Sequence, residues 1–192
     1  MGPCWSRLLV TAHSDKQDAT RTWKKGFGFH PLLGYVDHGA GGAGERVAEL
    51  LRPGKAGSNT AADHITVLDA ALSQLPATRR DDGTDGTVPV LVRTDAAGAT
   101  REFAAHLHAS GVEFSVGASF AHLDVRTALR LLTRGDWSPA YRARRPRAAE
   151  YGVQIEPRDG AWVAEATGLL DLSSWPPGTG LILRKERPHP GA

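Results

Sequence analysis

Cysteine is nearly absent. Cys4 stands alone, which excludes an intramolecular disulfide and any zinc site built on thiolates. A reducing compartment fits such usage. Long apolar runs are missing too, and nothing approaches the roughly 18 to 20 residues that cross a bilayer. The first residues lack the basic and apolar regions of a secretory signal. Met-Gly-Pro-Cys-Trp-Ser meets only the loose myristoylation pattern, which is short enough to arise by chance. The expectation is a cytoplasmic protein with no membrane partner. A strong charge of either sign is also lacking. The 23 basic and 21 acidic residues leave +2, too mild to require a nucleic-acid partner by itself.

What is present is an ordinary globular balance, with 41% apolar and 23% charged residues. The 192 residues suffice for one domain or one and a half. The 22 glycines and 12 prolines predict many turns. Arg7 to Ala12 reads as a strand, and His13 to Gly28 as a polar, basic loop or hairpin connection. Phe29 to Asp37 reads as a second strand. Glu45 to Leu51 fits helix or strand by period, and the short glycine turn before it favours a hairpin partner. Three early strands suggest a meander.

Thr60 to Leu75 is the clearest helix. Thr60 offers a cap, Asp63 three residues on resembles a capping box, and Ile65, Leu68, Leu72 and Leu75 share one face. Val88, Val90, Leu91 and Val92 then form a buried-strand pattern that ends at Asp95, and Arg101 to Ser110 reads as a helix. Val112 to Gly117 is a further strand and Val125 to Leu132 a further helix. This later alternation predicts parallel strands. From Trp137 the character shifts. Tyr141 to Glu150 is arginine-rich, and short strands at Tyr151–Glu156, Ala161–Thr167 and Leu181–Glu186 are separated by turns at Arg158-Asp159-Gly160 and Pro176-Pro177-Gly178.

The residues leave two roles open for Asp95. It is a good cap for a helix starting just after it, and it also stands at the C-terminal end of a central strand, where open α/β sheets place their chemistry. Asp15, Asp18 and Asp37 lie near other strand ends and read as turn or surface residues. The spacings of His13, His30, His38 and His64 match no usual metal-ligand pair, which favours loop and helix-end histidines. Gly39, Gly41 and Gly44 have dinucleotide-fingerprint spacing without its partner acid, and no P-loop occurs. Arg52, Lys55, Ser58 and Asn59 form a polar loop ahead of the best helix, a setting that suits a nucleic-acid phosphate. Arg142, Arg144, Arg145 and Arg147 suit the same role.

Several stretches together resemble a known family: Val10-Thr-Ala-His-Ser-Asp-Lys, Trp23-Lys-Lys-Gly-Phe-Gly-Phe-His-Pro-Leu, Leu51-Arg-Pro-Gly-Lys-Ala-Gly-Ser-Asn-Thr-Ala-Ala-Asp-His, Val92-Arg-Thr-Asp-Ala-Ala-Gly-Ala-Thr, Gly168-Leu-Leu-Asp-Leu-Ser and Arg184-Lys-Glu-Arg-Pro-His-Pro-Gly-Ala. The chain resembles the bacterial insertion-sequence DDE transposases of the DDE group 1 type. The resemblance implies an α/β fold: an RNase H-like mixed sheet flanked by helices, with a C-terminal β-rich insertion. Residues 7–136 would be a partial catalytic core and 137–192 the insertion. It implies Mg²⁺-dependent cutting and joining of transposon-end DNA by three carboxylates holding two metal ions. Asp95 matches the family's second acid and metal ligand. The first acid belongs to an Asp-x-Asp stretch whose positions here are Cys4 and Ser6, neither of which replaces a carboxylate. The third, a glutamate on a helix after the insertion, has no counterpart. The expectation is therefore a transposase fragment, truncated at both ends, inactive alone and unable to hold Mg²⁺ stably. The alternative is a non-catalytic module that binds DNA or an intact transposase.

Overall fold

A computed structural model describes residues 9–13, 15–38, 44–57, 60–75, 90–119, 123–144 and 154–188. The chain divides into two compact units, Met1–Ser119 and Phe120–Ala192. Among the described residues the fold is α/β, with three helices and four small sheets.

In the first unit, β1 (Val10–Thr11), β2 (Thr20–Arg21) and β3 (Phe27–Phe29) form an antiparallel sheet in the order β1-β3-β2. β2 and most of β3 fall within His13–Gly28, the stretch read as a loop or hairpin connection, and they form a hairpin. β2 and β3 are joined by a tight turn, in which Thr22 N donates to Gly26 O at 2.9 Å. The remaining edge of β3 is taken by β1.

The strand expected over Phe29–Asp37 is interrupted at His30-Pro31. Proline has no N–H for a ladder, and His30 N turns away to donate to Arg52 O at 3.0 Å. β4 (Leu32–Val36) starts beyond it and pairs antiparallel with β5 (Glu45–Leu50). Of the two readings open for Glu45–Leu51, the hairpin strand is the one found.

Helix α1 (Ala61–Gln74) buries two flanks. Val67 and Ala71 pack on Leu32 and Ala48 of the β4–β5 pair. Leu68, with Ile65 and Leu72, packs on Val92, Phe103 and Leu107. The second flank is the face legible in the sequence, and the first is not. The expected capping box does not form. The Thr60 side chain makes no cap bond, and the Asp63 carboxylate accepts from Arg52 Nη1 at 3.1 Å.

β6 (Leu91–Thr94) and β7 (Glu113–Val116) are parallel, in register from Leu91↔Glu113 to Thr94↔Val116. α2 (Arg101–Ala109) crosses between them and is capped by Thr100 Oγ1, which accepts from Phe103 N at 3.2 Å. Its buried residues Phe103, Ala104 and Leu107 are spaced i, i+1, i+4, one helical face. The expected parallel strand–helix–strand order is thus present.

The second unit contains α3 (Val125–Leu131) and strands β8 (Ser138–Arg144), β9 (Gln154–Glu165) and β10 (Ile182–Glu186), antiparallel in the order β10-β9-β8. Ala128, Ala166 and Leu183 form its core, with Val125, Leu132, Trp137 and Leu181 packed around them. Part of the arginine-rich stretch is strand β8. The turn expected at Arg158-Asp159-Gly160 is a bulge inside the continuous β9. Its partners jump from Pro139↔Trp162 to Tyr141↔Pro157, and Arg187 N still donates to Gly160 O at 2.8 Å. The bulge absorbs extra residues where a turn would have reversed the chain. The Pro176-Pro177-Gly178 turn does form, with Thr179 N donating to Pro176 O at 3.1 Å. Among the described residues no helix is long and apolar enough to cross a membrane.

Candidate functional site

Asp95 follows β6 directly, on the C-terminal side of a parallel pair. Its backbone is extended, and its side chain caps the short 3-10 turn Ala96–Gly98, with Oδ1 accepting from Ala97 N at 2.9 Å. Of the two roles left open by the sequence, capping is seen in part: the carboxylate caps this short turn, whereas α2 is capped by Thr100. The turn beneath it is tightly fitted. A Cβ on Gly98 would overlap Thr94 Oγ1 and lie 2.8 Å from Thr94 Cβ, so only glycine leaves the turn undisturbed. Gly117 N donates to Thr94 O at 3.0 Å and holds the following strand end against it. Asp95 is therefore set by backbone geometry on both sides.

His64 is only 1% exposed, on α1. Its Nδ1 lies 2.8 Å from Thr60 O. A carbonyl oxygen only accepts, so Nδ1 carries the proton. The ring packs tilted on Phe103, with centroids 5.3 Å apart. Burial pushes the His64 pKa down. The Thr60 carbonyl raises it, the Arg52 guanidinium lowers it, and the Asp63 and Asp95 carboxylates raise it. Four charged or polar groups from the 52–64 segment and the β6 end therefore share one electrostatic neighbourhood. The sequence favours loop or helix-end roles for His64 and His30, yet both are buried. The signal for His64 is its spacing: His64, Val67, Leu68 and Ala71 recur at i, i+3, i+4, i+7, a buried stripe.

Arg52 is 4% exposed. Its Nε donates to His30 O at 3.0 Å, and its Nη1 to Gly57 O at 3.0 Å and Asp63 Oδ2 at 3.1 Å. This placement makes it an internal strut of the loop, not a side chain held out to solvent. Lys55 is exposed. Its backbone N donates to Thr20 Oγ1 at 2.9 Å. Ser58 and Asn59 lie outside the described residues. Arg142 and Arg144 belong to β8 in the second unit. Arg142 pairs with Glu156 Oε1 through Nε and Nη2, each at 2.7 Å. Arg144 aligns with Gln154 in the β8–β9 ladder. Arg145 and Arg147 lie outside the described residues, as do Cys4 and Ser6. Asp37 pairs with Arg93 at 3.2 Å.

The sequence matches the transposase DDE domain group 1 family over residues 7–192. The match covers nearly the whole chain, and the chain belongs to that family. No curated protein and no solved structure matches it. The family typically uses a divalent metal. A hard divalent ion needs several oxygen ligands converging on one point, and among the described residues no group of three His, Cys, Asp or Glu side chains does so. The described residues therefore do not compose a metal site around Asp95.

Proposed function

We propose that this chain is a DNA-transposition domain with an RNase H-like core over residues 7–136 and a β-rich insertion over 137–192. Its partner is transposon-end DNA and its setting is the cytoplasm. Asp95 stands in the place of one acid of a metal-binding set. The chain by itself does not cut or join DNA, and Mg²⁺, the family's cofactor, is not held stably. The single observation that carries this reading is the Asp95 turn: a carboxylate fixed at the C-terminal end of β6 by Ala97 N and the close Gly98–Thr94 approach. Positions that the resemblance gives to the Asp-x-Asp stretch hold Cys4 and Ser6, which removes ligands that two-metal chemistry requires. Arg52 serves the site as a positioning residue and Lys55 as a DNA contact. Ser58, Asn59, Arg142, Arg144, Arg145 and Arg147 complete the set of proposed DNA contacts.

The test is a nicking and strand-joining assay on supercoiled plasmid with Mg²⁺ or Mn²⁺. The expected result is no product above the Asp95→Asn control. Metal-dependent nicking or joining that disappears in Asp95→Asn overturns the inactive reading.

A further inference from the structure

The β2–β3 hairpin is basic and carries an exposed aromatic residue in its turn. Between Thr20 and Gly26 it carries Arg21, Lys24 and Lys25 and no acid. Asp15, Lys16 and Asp18 precede it. Arg21, Lys24 and Lys25 are exposed, and Trp23 is 66% exposed. Lys24 Nζ lies 5.0 Å from the centre of the Trp23 ring. Lys55 joins this surface through the backbone. Its N donates to Thr20 Oγ1, and the preceding Gly54 is wedged so closely that a Cβ would lie 2.5 Å from Thr20 O and 2.6 Å from Gly28 O. His30 Nδ1 holds the far side of the same loop through Ala56 O at 3.1 Å. Among the described residues none of Arg21, Lys24, Lys25 and Lys55 makes an ion pair. By contrast, Arg46, Arg52, Arg93, Arg142 and Arg158 do.

We infer that this hairpin and Lys55 form a DNA-contacting surface, with the four cations on backbone phosphates and Trp23 against an exposed base. Cations that make no ion pair among the described residues match a phosphate chain in charge. An aromatic face beside them adds the stacking contact that single strands and unpaired ends offer. Buried Arg52 acts at a distance here, by fixing the loop that presents Lys55. The inference rests on the transposition reading and extends its Lys55 contact to the β2–β3 hairpin.

The test is fluorescence anisotropy of a labelled single strand and a labelled duplex, titrated with the full chain across a salt series. The variants are Lys24→Gln/Lys25→Asn, Trp23→Ala and Arg46→Gln. Asparagine is chosen at Lys25 because its φ is +64°, a conformation asparagine accepts. Removing one phosphate interaction lowers the salt slope by about 0.7 on a single strand and about 0.9 on a duplex. The double variant is expected to lower it by about twice that. Trp23→Ala is expected to weaken single-strand binding at least about fivefold. Arg46→Gln, an exposed cation already paired with Glu49, is expected to change neither. Wild-type slope and affinity in the hairpin variants overturn this inference and leave the DNA reading standing, as does an equal effect of Arg46→Gln. No binding of either DNA by the wild-type chain overturns the DNA reading and this inference with it.

Discussion

Arg52 and Arg142 are the same residue type and read alike in the sequence, as cations beside a prospective DNA phosphate. Their surroundings differ completely. Arg52 is buried and satisfies His30 O, Gly57 O and Asp63. Arg142 keeps its side chain 62% exposed and meets one glutamate on the neighbouring strand. The difference teaches that a guanidinium with five donors in a rigid fork serves two ends. Where three acceptors from different segments converge, it braces a loop. On an open strand it makes a surface pair that solvent largely screens.

The largest expected effect breaks the first half of this comparison. Arg52→Met removes the buried partner of Asp63 and leaves two backbone carbonyls without their donor. It is expected to cost about 2 kcal/mol, because the carbonyls lose their donor and the half-buried Asp63 loses its cation. Urea denaturation followed by circular dichroism measures this, and a loss below that of an ordinary surface change would return Arg52 to the solvent-facing class.

A smaller effect sharpens the electrostatics around that strut. The His64 pKa is lowered by burial, so its folded value lies below its unfolded value near 6.5. The unfolded chain then binds the extra proton first as pH falls. Stability from neutral His64 is complete above about pH 6.5 and declines as pH drops from there toward the folded pKa. The slope is at most about 1.4 kcal/mol per pH unit for one proton. Urea midpoints measured from pH 7.5 downward should fall less in His64→Gln than in wild type. Equal slopes would remove His64 from the coupled group.

The smallest effect tests the other half. Arg142→Ala is expected to change stability by at most about 0.5 kcal/mol. A loss on the scale of Arg52→Met would show that exposure is a poor guide to what an arginine does here.

Long, periodic elements are legible in the sequence. α1 is visible in Ile65, Leu68 and Leu72, and the β6–α2–β7 unit in an apolar run succeeded by alternation. The turn at Pro176-Pro177-Gly178 is visible in its residues. The interruption at Pro31 is readable in principle, since proline breaks a ladder, but it lies inside an otherwise continuous apolar stretch. The bulge at Arg158–Gly160 passes for a turn because turn and bulge draw on the same residues. Only the partner strand decides which of them forms. The capping box at Thr60 and Asp63 fails for a similar reason: Arg52, eleven residues away in sequence from Asp63, offers the carboxylate a charged donor.

The amino-acid order by itself determined the family and the helices, and it placed Asp95 at a strand end. Those depend on local period, turn chemistry and the residues of a motif. Only the tertiary structure decided that Asp95 caps its own 3-10 turn, that His64 is buried, and that Arg52 is a strut. It also decided that the Lys55 loop is bonded to Thr20 of the β2–β3 hairpin. Burial and pairing are settled by segments distant in sequence, which compete for the same donors and acceptors once they are packed.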